Sequence, residues 1–209
     1  MIVEFQNIIQ IATLCCLSAM GIGRAIVLKF QKTQVLVLDS QLTKTQLLNG
    51  IFFVTCFLVW IFESFSYGLS INHHIPVASL EILIVQHIGF ILIGTIVMVC
   101  GLAIYAMALY SFRNSWRIGI DRENPGQLVT SGVFRYSRNP IYLSLDLLVF
   151  GTFLLQGRLV FLLLFICISA SLHIQILHEE QFLIQTYGDS YSRYRSNVGR
   201  YFNIKPLLR

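Results

Sequence analysis

Charged residues are scarce in this sequence. Asp, Glu, Lys and Arg make up 12% of its 209 residues, whereas a soluble domain carries about 25%. Hydrophobic residues make up 56%. The low charge excludes an ordinary soluble domain and predicts a chain with membrane-spanning segments.

Paired cysteines and the common metal- and nucleotide-binding motifs are also missing. The five cysteines lie inside apolar stretches without a CxxC pair, so neither a disulfide framework nor a zinc site is predicted. The sequence has no HExxH, Walker A or GxGxxG segment, which argues against a zinc protease and a Rossmann fold. The adjacent His73 and His74 are interpreted as a polar turn, and we expect no metal cofactor.

Five apolar stretches are present: residues 8–30, 47–69, 82–110, 141–155 and 159–177. A membrane-spanning helix needs about 20 apolar residues. The fourth stretch is short and contains Asp146, so we predict that it forms a sheltered hairpin with the fifth. The first stretch lacks a basic segment before it and is interpreted as a retained helix. The predicted fold is all-α, a polytopic bundle of about five transmembrane helices with a cytoplasmic C-terminal helix.

The positive charges indicate an orientation. Fourteen of the 15 Lys and Arg residues fall on one side of the predicted bundle, and Arg158 is the exception. Because positive loops face the cytoplasm, we predict an outside N-terminus and a cytoplasmic C-terminus. The net charge of +5 therefore needs no nucleic-acid partner.

We predict one membrane domain, residues 1–209, with two parts of different character. Residues 1–112 are expected to form a scaffold and lipid-facing wall, and residues 113–209 a cofactor-binding catalytic half. The small residues expected to permit close helix packing are Ala19, Gly23, Gly94 and Gly101. Glu63 is interpreted as a residue near the outer interface, with a snorkelling or structural role and a functional role as the alternatives.

A polar segment, GQLVTSGVFRYSRNPIY, occupies residues 126–142. Asn139 and Pro140 predict a helix start, and the free N–H groups there can hold a carboxylate or phosphate. Arg135 and Arg138 add positive charge. Tyr142 shares a helical face with Asp146. An ordinary capped membrane helix is the alternative interpretation of this segment.

A second polar segment follows the predicted hairpin. His173 and Glu180 are seven residues apart and share a helical face, while Glu179 points about 100° away from Glu180. Two carboxylates at a membrane boundary can bind an ammonium or balance a sulfonium, although a solvated helix end is the alternative. Tyr187, Tyr191 and Tyr194 then predict an amphipathic helix that anchors the tail or covers a site.

These segments together resemble the isoprenylcysteine carboxyl methyltransferases and their phospholipid methyltransferase relatives. The resemblance covers about residues 100–202. It rests on an ordered set of motifs: Leu128-Val129-Thr130-Ser131-Gly132-Val133-Phe134, Arg138-Asn139-Pro140-Ile141-Tyr142, Glu179-Glu180, Tyr187-Gly188, and Tyr191 with Tyr194, preceded by Asn114-Ser115-Trp116-Arg117-Ile118-Gly119-Ile120.

The resemblance implies an integral membrane methyltransferase that uses S-adenosylmethionine and a lipophilic acceptor entering from the bilayer. The implied cofactor-binding residues are Gln127, Leu128, Arg138, Asn139, Pro140, Tyr142, Glu179 and Glu180. The implied catalytic residues are Arg138, Tyr142 and Glu180. Two positions depart from the family pattern, because Asn139 replaces a histidine and Ser144 replaces a glycine.

The acceptor chemistry stays open between two types. A carboxylate acceptor needs no base, and the carboxyl O-methyltransferase type matches the motifs more closely. An amine acceptor, as in phospholipid N-methylation, must lose a proton, for which Glu180 or His173 could serve. Outside this class, an NADPH-dependent sterol reductase would need more spans, and a non-catalytic transport protein would need polar residues across the bilayer.

Overall fold

The chain folds into five α-helices within the residues that the computed structural model describes, which are 2–30, 42–71, 82–84, 87–112 and 126–203. The helices are α1 (Ile2–Phe30), α2 (Lys44–Gly68), α3 (Ile88–Phe112), α4 (Pro140–Gln156) and α5 (Leu159–Asn197), with a 3₁₀ helix at Gly132–Arg135. The all-α class is confirmed. His73, His74 and the motif at residues 114–120 lie outside the described residues.

Four of these helices are long and apolar enough to cross a membrane, namely α1, α2, α3 and α5, while α4 is a shorter apolar helix of 17 residues. This confirms a helical membrane protein in which α4 is the short arm of a hairpin. Gly157 ends α4 in the left-handed conformation, with φ 66°. Its carbonyl accepts from the Ile84 N–H at 2.7 Å. The side of the membrane on which each end lies stays a prediction.

Helices α3 and α4 approach closely through glycine. A Cβ at Gly94 would lie 2.8 Å from the Gly151 carbonyl oxygen, and one at Gly101 would lie 3.1 Å from the Ser144 carbonyl oxygen. The expected packing role of Gly94 and Gly101 is therefore confirmed. Ser144 is fully buried, and its hydroxyl donates to the Ile141 carbonyl at 2.6 Å.

The other small pair, Ala19 and Gly23, does not pack in this way. Both residues are exposed, and a Cβ at Gly23 would meet nothing within 4 Å. The packing prediction for this pair is wrong within the described residues, because its face of α1 points away from the bundle.

The difference between the close α3–α4 contact and the exposed Gly23 gives a test of the helix packing. Replacing Gly151 by alanine would place a Cβ 2.9 Å from the Gly94 carbonyl oxygen and 3.1 Å from the Met98 nitrogen. We expect Gly151→Ala to destabilise the protein by about 1–3 kcal/mol, a usual cost of overpacking. Gly23→Ala is the matched control, and thermal unfolding in detergent is the measurement. Equal melting temperatures for the two variants would contradict the close α3–α4 contact.

Glu63 is buried inside the helix bundle. Its exposed fraction is 1%, and the neighbouring Trp60 is fully buried. The snorkelling interpretation of Glu63 is wrong, because the carboxylate faces the protein interior and not the membrane surface. The structural interpretation stays a prediction.

Helix α5 extends far beyond its apolar part. The predicted C-terminal helix is continuous with it, although Gly188 interrupts the helix with φ 51° and ψ −123°. After α5 ends, residues 198–203 turn back, and we call them the return segment. The Gly199 carbonyl accepts from the Arg138 N–H at 3.1 Å. The return segment therefore reaches the start of α4.

Candidate functional site

Glu180 is the centre of a buried charged cluster. Its exposed fraction is 3%. Arg138 Nη2 lies 3.0 Å from Glu180 Oε1, and Arg200 Nη2 lies 2.9 Å from Oε2. Arg200 Nε also donates to Oε1 at 3.2 Å. One buried carboxylate thus pairs with two guanidinium groups, which leaves the cluster with a net positive charge. Removing either kind of partner would leave an unpaired charge in a buried position.

Asn139 contributes to this cluster through its side chain. It occupies the N-cap position of α4 and Pro140 follows at the start, as predicted, but the side chain makes no capping hydrogen bond. Its Nδ2 donates to Glu180 Oε1 at 3.4 Å and to the Arg200 carbonyl at 3.1 Å. The prediction that the Asn139 side chain caps α4 is therefore wrong. The amide donates to the buried Glu180 carboxylate instead, because hydrogen bonds to charged acceptors are stronger.

The return segment completes the cluster from the other side. The Arg200 carbonyl also accepts from Ser137 Oγ at 3.4 Å, so the backbone at Arg200 is fixed against the residues before α4. The hydrogen bond to Glu180 raises the pKa of Arg200, which keeps its guanidinium charged. From the sequence alone, Arg200 is only one of the 14 basic residues on one side of the predicted bundle, because its contact with Glu180 depends on the chain reversal after α5.

Glu179 has a separate and uncharged set of partners. Tyr142 donates its hydroxyl to Glu179 Oε1, and Gln175 Nε2 donates to the same oxygen at 3.3 Å. No ion pair to Glu179 is found among the described residues. The two adjacent carboxylates therefore differ: Glu180 pairs with two arginines, whereas Glu179 accepts hydrogen bonds from neutral side chains.

Several buried donors near Glu180 have no hydrogen-bond partner within the described part of the chain. They are Nε and Nη1 of Arg138, whose side chain is 7% exposed, and the hydroxyl of Tyr191, which is 1% exposed. An unsatisfied buried donor costs about 1–3 kcal/mol, and such groups in a native structure call for an explanation. A bound anionic ligand would satisfy both residues.

Gln127 and Leu128 lie at the edge of this site and not in the charged cluster. Residues 126–130 have no regular secondary structure, Gln127 is exposed and Leu128 is half-buried. The segment is tied to α5 by Tyr187, whose hydroxyl donates to the Gly126 carbonyl at 3.1 Å. The structure thus brings together five of the predicted residues, namely Arg138, Asn139, Tyr142, Glu179 and Glu180. Pro140 is buried at the start of α4.

A second group of polar side chains lies at the same hairpin, nearer the apolar part of α5 than Glu180. Ser169 Oγ donates to Asp146 Oδ1 at 2.7 Å. His173 Nδ1 lies 2.6 Å from the Tyr201 hydroxyl, and the two rings are stacked. We call Asp146, Ser169, His173 and Tyr201 the inner polar group. In the described ranges, no three His, Cys, Asp or Glu side chains form a group that could hold a metal ion.

The fold and the site define a polytopic helical membrane protein with a buried, charged site at one end of a helical hairpin. Residues 86–190 match the pattern of a known family, phospholipid methyltransferase, over about half of the chain. The chain belongs to the phospholipid methyltransferase family. The matched region contains the Arg138–Glu180 ion pair and the Tyr142–Glu179 contact.

One curated relative is similar over part of this region. It is the protein-S-isoprenylcysteine O-methyltransferase of Schizosaccharomyces pombe, which is 39% identical over 72 residues. The similarity covers 34% of this chain and 30% of the relative. The chain therefore matches less than a third of that protein's length.

Proposed function

We propose that this protein is an integral membrane methyltransferase that transfers a methyl group from S-adenosylmethionine to the carboxylate of a lipophilic acceptor. The proposal rests above all on one observation: beside Glu180, Arg138 offers two buried donors that have no partner among the described residues. The family and the relative named for isoprenylcysteine O-methylation support this class of reaction. We propose the carboxyl type because that relative is named for O-methylation of an isoprenylcysteine, and the oxygen nucleophile of a C-terminal cysteine is its carboxylate.

The donors and acceptors of the site fit the amino-acid end of the cofactor. Arg138 Nε and Nη1, with the Tyr191 hydroxyl, would hold its carboxylate. Glu179 would hold its ammonium, because its partners Tyr142 and Gln175 are neutral. The backbone at Gln127 and Leu128 would meet the heterocycle. When bound, the cofactor supplies an electrophilic methyl group.

The remaining residues would orient the reactants. Glu180 fixes Arg138 and Arg200, and its two oxygens already accept from cationic donors. We therefore assign Glu180 a positioning role in place of the base considered from the sequence. A carboxylate acceptor is already nucleophilic, so the transfer requires alignment and exclusion of water more than proton removal.

For the arrangement in the membrane we keep the sequence-based prediction as a proposal. We propose that residues 1–112 form the wall of the bundle and residues 113–209 the catalytic half, with the N-terminus outside and the C-terminus cytoplasmic. The acceptor would then reach the site laterally from the lipid while the soluble cofactor arrives from the cytoplasm. The exposed hydrophobic side chains of α2 and α3 are consistent with such lateral access.

Methylation of an amine phospholipid is the second candidate. The description of the family as phospholipid methyltransferase favours it. An amine must lose its proton before it attacks a methyl group, and His173 would be the base for that reaction. Methyl transfer to phosphatidylethanolamine, with none to an S-prenylcysteine, would establish this alternative.

Cofactor binding tests the proposal. We expect saturable binding of S-adenosylmethionine and S-adenosylhomocysteine to the detergent-solubilised protein by calorimetry. Glu179→Gln keeps the shape of the side chain and removes the charge proposed to meet the ammonium. We expect it to weaken binding by about tenfold or more, since a hydrogen bond to a charged group contributes about 1.5–3 kcal/mol.

The matched control is Glu4→Gln, the same change on the exposed start of α1, which should leave the affinity unchanged. Absence of binding to the folded wild-type protein would overturn the methyltransferase proposal. Binding that Glu179→Gln leaves unchanged would remove Glu179 from the cofactor site.

A further inference from the structure

The inner polar group places an ionisable side chain deep in an apolar helix. Asp146 lies within α4, and the α5 segment that carries Ser169 and His173 is also apolar. Ionisable residues at membrane level are costly and indicate function by default. Neither the motifs of the family resemblance nor the proposed cofactor contacts use Asp146, so its role needs a separate explanation.

The position of the inner polar group relative to Glu180 indicates what role Asp146 and its neighbours could have. His173 lies seven residues before Glu180 on α5, which corresponds to two helical turns, or about 10 Å. Tyr201 directly follows Arg200, and Arg200 binds Glu180. The return segment therefore joins the proposed cofactor site to the inner polar group, which lies nearer the apolar part of α5.

We propose that Tyr201 and His173 hold the carboxylate of the methyl acceptor, with Asp146 as the counter-charge of the histidine. This inference rests on the proposed function and names the residues that would bind the acceptor. The inner polar group lies between the proposed cofactor site and the apolar part of α5, where a lipophilic acceptor would be accommodated. In either tautomer the Tyr201–His173 pair keeps one proton free for a ligand, and a carboxylate, which only accepts hydrogen bonds, matches that donor.

The charges around Tyr201 support its role as a donor. Burial, and then the nearby Asp146 carboxylate, raise the pKa of Tyr201, so its hydroxyl keeps its proton at neutral pH. When His173 Nδ1 donates to the Tyr201 oxygen across their 2.6 Å contact, the Tyr201 proton is free to reach a ligand. Ser169 donates to Asp146 at 2.7 Å, and the Asp146 carboxylate lies close enough to His173 and Tyr201 to act on both electrostatically.

The proposed step balances without a base. A carboxylate oxygen of the acceptor forms a bond to the methyl carbon, the carbon–sulfur bond breaks, and its electron pair stays on sulfur. No proton is released, so Tyr201 and His173 bind and orient the carboxylate without accepting a proton. A purely structural tie between α4, α5 and the return segment is the competing explanation for these contacts.

Tyr201→Phe separates the two explanations because it removes one hydroxyl and keeps the ring. We expect the KM for an N-acetylated S-prenylcysteine to rise about tenfold, the loss expected for a hydrogen bond to a charged group. The Kd for S-adenosylhomocysteine should stay within about twofold of wild type, a difference below about 0.5 kcal/mol. The matched control is Tyr110→Phe, at a tyrosine that is 84% exposed.

A lower melting temperature with an unchanged acceptor KM would overturn the inference in favour of the structural tie, and so would equal losses of acceptor and cofactor affinity. A second measurement needs no variant: wild-type protein should bind the free carboxylate of the S-prenylcysteine more tightly than its methyl ester. Equal affinities for the two would also overturn the inference.

The wild-type protein distinguishes failure of this inference from failure of the proposed function. Wild-type protein that binds the cofactor but does not methylate the S-prenylcysteine would overturn the carboxyl type and the inference with it. Wild-type protein that methylates it, with a Tyr201→Phe variant of unchanged KM, would overturn the inference alone.

Discussion

Glu180→Ala is expected to destabilise the protein by about 3–5 kcal/mol, the cost of removing one partner from a buried ion pair. Arg138 and Arg200 share this carboxylate as their counter-charge, and the variant leaves two guanidinium groups facing each other. The amide of Asn139 also loses an acceptor. Thermal unfolding in detergent measures the loss, and cofactor binding should disappear with it.

Glu179→Ala is the matched control, because it removes the adjacent carboxylate. Its partners Tyr142 and Gln175 are neutral, so we expect a smaller loss of about 1–2 kcal/mol. Adding Arg200→Met to Glu180→Ala should recover part of the stability, since it removes one unpaired cation. Equal melting temperatures for the two alanine variants would contradict the distinction between the carboxylates.

The helical framework could be predicted from the sequence because membrane-spanning helices depend on local properties. Length and hydrophobicity decide whether a segment spans, and Asn139-Pro140 marked the start of α4 correctly. Glycines at 94 and 101 indicated a close helix contact that the structure places against α4. The same reasoning failed for Ala19 and Gly23, because small residues do not specify which face of a helix meets a neighbour.

The site could be predicted only in part. Charged residues in an apolar chain drew attention to Arg138, Glu179 and Glu180, and their family motifs suggested what they bind. Their pairing depends on contacts across the hairpin, which no local pattern records. Arg200 and Tyr201 enter the site only because the chain reverses after α5. Glu63 is also buried, which its position within an apolar stretch did not indicate.

Arg138→Ala is expected to weaken binding of S-adenosylhomocysteine about 100-fold, which corresponds to about 2.7 kcal/mol. The change removes the two buried donors proposed to hold the cofactor carboxylate, Nε and Nη1. Folding should suffer less than in Glu180→Ala, since Glu180 keeps its contact with Arg200. Calorimetry measures the affinity, and thermal unfolding measures the stability.

Arg138→Lys distinguishes charge from geometry at this position. Lysine keeps one positive charge for Glu180 but lacks the planar set of donors that can bind two anions at once. We therefore expect Arg138→Lys to weaken cofactor binding by an intermediate factor of about tenfold, with stability near wild type. The matched control is Arg135→Lys, at an exposed residue of the 3₁₀ helix, which should change neither affinity nor stability. Lysine with full cofactor affinity would mean that Arg138 serves only as the counter-charge of Glu180. The carboxylate of the cofactor would then have to be held elsewhere, with the Tyr191 hydroxyl as the remaining unpartnered donor beside Glu180 in the described part of the chain.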